Sequence, residues 1–340
     1  MKRPTRQEVM RMVWDRTTAD DRGASLFGEG PERAMEAYEC FLAGDSFPNI
    51  GIEFPLLGSP THDVLVGPYK GGVKPGDMLA AEDLQVAQAA LEWMASWQGE
   101  LPVDLFFELD ATNPEGRQAA ILCKHSGQLR AAEEFLELVG ASQMIADYLA
   151  FDARLPQDWQ NSYAGIFPGR AGAGVRTELF LGDTARELAA DDPGYLKACF
   201  DQVGFSAYDP AMLSNLAHLI AIGPMPSFQF DILSGGRVGE TFSAAFFFED
   251  LHAGFKKGFE PGGDIARICE AYEQMGIADD RWRLVEKASF AMATFGVDDE
   301  GHAFIVRFAS IPCCAKIKWK SAKPCAAKFY QGFATGIADA

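Results

Sequence analysis

Residues 227–248, SFQFDILSGGRVGETFSAAFFF, decide how the chain folds. Two runs rich in phenylalanine flank Ser234-Gly235-Gly236, whose residues have turn chemistry, so the stretch reads as a β-hairpin. In the first run Phe228, Phe230 and Ile232 alternate with Gln229 and Asp231, giving one apolar and one polar face. Four other stretches repeat the pattern: NIGIEFPLLGSPTHDVLVGPY from Asn49, VDLFFELDATNPEGRQAAILCK from Val103, SYAGIFPGRAGAGVRTELFL from Ser162, and SFAMATFGVDDEGHAFIVRF from Ser289. Successive starts lie 54, 59, 65 and 62 residues apart, an internal repeat of about 60 residues.

Helical periodicity fills the intervals. Ala34, Ala37, Tyr38, Phe41 and Leu42 share a face within Pro31–Gly44, as do Leu84, Ala87, Leu91 and Met94 after Asp83. Gln128–Leu149 aligns Leu129, Ala132, Phe135, Leu136 and Val139. Asp192-Pro193 and Asp209-Pro210 each place a capping aspartate before a proline at the first helical position. Ile265, Ile268, Tyr272 and Met275 form the last stripe, which Gly276 stops.

Five hairpins make ten strands, and closing them into one barrel inside a ring of helices removes every sheet edge. The expected fold is therefore α+β, a single ten-stranded antiparallel β-barrel built from five helix–hairpin repeats. Two α+β domains with open sheets are the competing arrangement, but no Pro/Ser-rich linker divides the chain. One domain over residues 1–340 follows, with a helical lead-in over 1–30 and a C-terminal tail over 321–340.

Composition narrows the function. The net charge of −18 disfavours nucleic acid as a partner, no apolar run is long enough to cross a membrane, and the charged N-terminal stretch lacks a signal peptide's features. A cytoplasmic protein is expected. The seven cysteines include no C-x-x-C and the five histidines no H-E-x-x-H, so no structural metal is expected. Residues 301–340 hold six cations against one acid, leaving −23 on the rest. This basic segment reads either as a solvated tail or as a site for a small anion.

Alternation then sorts the strands between helix-facing and lumen-facing sides. It turns Glu53 inward on the first strand, Phe106 and Glu108 on the third, and Arg176, Glu178 and Phe180 on VRTELFL. Asp231 falls on the inward face of the hairpin at 227–248; Lys316 and Lys318 share a face, Arg307 interrupts an apolar run, and Lys124 lies on the face of Leu122. Charge turned into an aromatic lumen is costly unless compensated, and a diphosphate would compensate arginine and lysine. Ion pairs within the lumen would do so equally.

These features resemble the ABBA-type aromatic prenyltransferases, most of all the cyanobactin-type enzymes that modify ribosomally made peptides. The likeness is one of topology from about residue 31 to 330, with local echoes in IGIEF around Glu53, in YLKACFDQVGFSAY at 195–208 and in the basic strand CAKIKWK. The resemblance implies an isoprenyl transfer from dimethylallyl or geranyl diphosphate to a peptide side chain. Carried over, Lys124, Arg176, Arg307, Lys316 and Lys318 would hold the diphosphate and Glu53 would accept the acceptor's proton. The first hairpin departs from the pattern, since VLVGPYK offers only Lys70 beyond the strand. Glu108, Glu178, Asp231, Phe106 and Phe180 would form the acceptor pocket, for tyrosine, tryptophan or, given the surplus of acids, arginine. No tightly bound cofactor is implied, although Mg2+ can accompany the diphosphate; no D-D-x-x-D motif is present. A free aromatic small molecule as acceptor, and a non-catalytic ligand-binding barrel, are the alternatives.

Overall fold

A computed structural model describes residues 2–28, 50–69, 85–110, 119–168, 174–248 and 255–340. Eleven strands form one antiparallel sheet: β1 (Ile50–Pro55), β2 (Asp63–Tyr69), β3 (Asp104–Asp110), β4 (Ala120–Lys124), β5 (Trp159–Ile166), β6 (Val175–Leu181), β7 (Pro226–Leu233), β8 (Arg237–Phe247), β9 (Phe290–Val297), β10 (Ala303–Lys320) and β11 (Lys323–Asp339). Neighbours run in chain order from β1 to β8, then β10 and β11, and β11 pairs back onto β1. Ten strands thus close a barrel, as the repeat implies, and leave β9 outside it.

Two expectations are corrected here. The stretch 321–340 is no tail, because β11 fills Lys323–Asp339 and forms the barrel wall between β1 and β10. The fifth repeat, 289–308, does pair as β9 with the first half of β10, but this hairpin is an extension of the wall; the fifth hairpin of the barrel is β10–β11. Four of the nine residues from Gln331 to Asp339 are alanine or glycine, so the second half of β11 carries little of the apolar alternation that marks the other strands.

Helices pack around the barrel: α1 (Arg6–Thr17), α2 (Arg22–Phe27), α3 (Gln85–Ser96), α4 (Leu129–Leu138), α5 (Ile145–Asp152), α6 (Asp183–Asp191), α7 (Pro193–Val203), α8 (Pro210–Ile222), α9 (Phe255–Phe259), α10 (Asp264–Gln274) and α11 (Trp282–Ala288). The 128–149 segment breaks at Gly140 (φ +75°) and a short 3-10 turn into α4 and α5. The Pro31–Gly44 stripe lies outside the described residues. Asp192 accepts from the backbone N–H of Gly194 and Asp209 from that of Met212, so both aspartate–proline starts cap as read. Phe200 of α7 shows how helix meets barrel: its ring sits 5.1 Å from that of Phe242, 5.9 Å from Phe230 and 6.1 Å from Phe228. Ile52, Phe107, Leu179, Ile232, Ile317 and Trp319 fill the same helix-facing layer. Ala120, Leu122 and Phe167 form a separate cluster with Leu65, Phe106 and Tyr163 on the opposite face, which is the lumen. No helix among the described residues is long and apolar enough to cross a membrane.

Candidate active site

The lumen is a cavity of about 230 Å3 walled by Phe106, Phe167, Phe180, Phe247, Tyr163 and Tyr330, with Glu108, Lys124, Arg176, Glu178, Gln229 and Lys316 as its polar lining. Strand alternation delivers this mixture, since every second residue of a wall strand faces inward. On β10 the alternation must survive an irregularity. Phe304, Val306 and Phe308 face the helices below it and Ala315, Ile317 and Trp319 above it, a change from even to odd positions. The register shift between Pro312 and Cys314 supplies the extra residue, and both Cys313 and Cys314 line the lumen. Gly332 makes room for it: a Cβ there would come within 2.5 Å of the Cys313 Sγ.

Glu53 is 3% exposed and is held between two lysines. Lys316 Nζ donates to its Oε2 at 3.0 Å, Lys328 donates to its Oε1, and Lys328 also reaches Asp63 at 3.3 Å. Burial alone would raise the pKa of Glu53, but the charges of Lys316 and Lys328 overcome it and hold the pKa at about 2. Such a carboxylate stays ionised and is a weak proton acceptor near neutrality. Lys316 donates onward to the Tyr330 hydroxyl. Lys328 and Tyr330, which lie on the stretch read as a tail, belong to the site.

Arg176 meets Asp231 in a two-pronged pair, Nε to Oδ1 at 2.9 Å and Nη2 to Oδ2 at 3.3 Å, and its guanidinium lies 4.3 Å from the centre of the Phe167 ring. Asp231 is therefore the counterion of Arg176. Glu178, 6% exposed, accepts from Ser227 Oγ at 2.8 Å and Gln229 Nε2 at 3.1 Å and makes no ion pair among the described residues. Burial raises its pKa above the ordinary value, the two hydrogen bonds opposing. Lys318 also makes no ion pair among the described residues. Burial and then the nearby charge of Arg176, with Lys328 and Lys316 beyond, lower its pKa. Lys124 lines the lumen at the exposed end of β4.

Of the residues expected at the site, Lys124, Arg176, Lys316, Glu108, Glu178, Phe106 and Phe180 line the cavity; Glu53, Asp231 and Lys318 lie among the charges around it. Arg307 does not come to the lumen: it is exposed on the β9–β10 extension, paired across the ladder with Ala293 and Gly336. Lys70 lies outside the described residues. Tyr163 was not anticipated, although the position two residues before Gly165 on the β5 alternation would have placed it inward. Among the described residues no group of three or more His, Cys, Asp or Glu is arranged to hold a metal ion, and Glu53 and Asp231 are already committed to cations.

The chain is similar along its length to 5-dimethylallyltryptophan synthase from Streptomyces coelicolor (TM-score 0.53, 13% identity, 96% of this chain and 97% of that chain). It is likewise similar to PriB in its binary complex with product diphosphate (TM-score 0.51, 12% identity, 96% of both chains), and to the apo form of that prenyltransferase (TM-score 0.51, 11% identity). No family model matches the sequence, and no curated protein sequence does. At these identities the likeness establishes the fold: a closed ten-stranded barrel ringed by helices.

Proposed function

We propose that the protein is a prenyltransferase that moves an isoprenyl group from its diphosphate to a side chain of a ribosomally made peptide in the cytoplasm. The observation that carries this reading is Lys318, a half-buried cation without an acidic partner among the described residues, grouped with Arg176, Lys316 and Lys328 beside an aromatic cavity. Such a group lacks only an anion, and a diphosphate supplies one. Fixed cations stabilise the leaving diphosphate as the allylic C–O bond breaks. The aromatic walls face the allyl cation that remains. The acceptor then bonds to the allylic carbon and loses a proton. Glu178, buried, unpaired with any cation among the described residues and lining the cavity, is better suited than Glu53 to take that proton. Any Mg2+ would arrive with the diphosphate, since the carboxylates nearest the cations are paired with them.

The test is direct. Incubation with dimethylallyl or geranyl diphosphate and matched peptides carrying Tyr, Trp, His or Arg is expected to release diphosphate and add the isoprenyl mass to the peptide. Glu178→Gln is expected to lower turnover ~100-fold with donor binding retained. The absence of diphosphate release with every donor and acceptor would leave a ligand-binding barrel. The second reading, a free aromatic acceptor, is favoured by the similarity to a dimethylallyltryptophan synthase; free tryptophan in the same assay separates the two.

A further inference from the structure

We propose that Ser227 and Gln229 are positioning residues for Glu178: they hold its carboxylate by one oxygen and so determine which oxygen receives the acceptor's proton. This builds on the reading above of Glu178 as the group that takes that proton. Both hydrogen bonds end on Oε1, from Ser227 Oγ at 2.8 Å and from Gln229 Nε2 at 3.1 Å. Among the described residues Oε2 accepts none, and Glu178 lines the lumen. Glu53 and Asp231 differ in this respect. Glu53 receives Lys328 on Oε1 and Lys316 on Oε2, and Asp231 receives Arg176 on both oxygens. Those two carboxylates have both oxygens committed to cations, whereas Glu178 is held by neutral donors and keeps one oxygen for a substrate.

The ladder between β6 and β7 builds this arrangement. Gln229 lies directly opposite Glu178, and Ser227 lies opposite Phe180, two residues along. Side chains at opposed and diagonal positions of one face lie within reach of each other. Ser227 is fully buried, so solvent does not compete for its hydroxyl, and turning the carboxyl group would break both bonds at once. The two bonds favour the ionised form, against which burial works. In the transfer the allylic C–O bond breaks and its electron pair leaves with the diphosphate. The acceptor atom bonds to the allylic carbon, and its proton passes to Oε2. Oε1 keeps its two hydrogen bonds throughout, so the carboxyl group need not move during the step. The other charged and titratable groups around Glu178 are Lys316 and Cys314 on β10, Lys124 on β4, Glu108 on β3, Tyr163 on β5, and the pair of Arg176 with Asp231. Burial pushes the Tyr163 hydroxyl and the Cys314 thiol up, so both stay neutral where a carboxylate titrates.

Ser227→Ala and Gln229→Met in the full chain each remove one donor and test the proposal separately. Each is expected to lower kcat ~10-fold at unchanged KM for the donor diphosphate. Each is also expected to move the acidic limb of the pH–rate profile to higher pH, because a carboxylate that loses a hydrogen bond is protonated more readily. Infrared titration without substrate reads the same shift in the C=O stretch of the protonated carboxyl, assigned by its loss in Glu178→Gln. A merely structural role for Ser227 and Gln229 would lower the melting temperature and leave both midpoints in place, which overturns the proposal. Failure of the underlying reading looks different. Full turnover in Glu178→Gln would remove that reading and the proposal together, whereas an inactive Glu178→Gln beside two variants with wild-type profiles overturns the positioning alone.

Discussion

Glu53 shows how one residue can serve a site without reacting in it. Its carboxylate holds Lys316 and Lys328 together, and removing it leaves the buried Lys316 without its carboxylate beside Lys328, which keeps only Asp63. Glu53→Gln is expected to cost ~3–5 kcal/mol in urea unfolding at pH 7, the penalty of an unpaired buried charge. The sign of the pH dependence follows from the depressed pKa. The stabilisation is complete above the ordinary value of 4.5 and is lost as pH falls toward about 2. The gap between variant and wild type should therefore narrow from pH 4.5 downward; a constant gap would show that Glu53 acts through packing. Lys318 makes the opposite case, a cation left unpaired among the described residues. Lys318→Ala is expected to weaken diphosphate binding by ~1.5–3 kcal/mol, the worth of a hydrogen bond to a charged group. Arg307→Ala, on the exposed extension, should leave that affinity unchanged in the same titration. Alternation alone sorted Glu178, Arg176 and Phe106 correctly into the lumen. It could not show that Asp231 already neutralises Arg176, because facing direction carries no information about the partner across a ladder.

At the scale of the element, β10 bears the most function per residue. Its irregularity at Pro312–Cys314 lets one strand present Phe304, Val306 and Phe308, then Ala315, Ile317 and Trp319, to the same helices while Lys316 and Lys318 face the lumen. Deleting Cys313 should force half of those apolar side chains inward or the lysines outward. The expected result is loss of a cooperative melting transition; a folded, diphosphate-binding deletion variant would show that the shift is dispensable. The hairpins and capped helices were legible because their signals are local, a turn between alternating runs or an aspartate before a proline. β11 was not, since KPCAAKFYQGFATGIAD mixes small residues and lysines, and its strand character comes from lying between β1 and β10. The same bias made β9 look like a barrel strand: its local pattern is that of the others, and only the ladder excludes it.

For the whole molecule, a closed barrel whose cations are fixed before any ligand arrives should gain stability on binding an anion. Added inorganic diphosphate at a hundredfold excess over its dissociation constant is expected to stabilise the fold by ~2.7 kcal/mol, read as a rise in melting temperature. High salt should shrink the effect, and an unmoved transition would remove the anion site from the lumen. Closure itself has a kinetic consequence. Glu53 of β1 lies opposite Tyr330 of β11, and its lysines come from β10 and β11, so the first strand waits for the last two. Contacts so distant along the chain are slow to form. A ribosome carrying a partly made chain would hold eight strands with a gap in the wall and Glu53 still in water. The charged girdle of the lumen is then assembled in the same event that seals it, after synthesis has passed residue 330, and a chain lacking β11 would be open, aggregation-prone and unable to hold an anion.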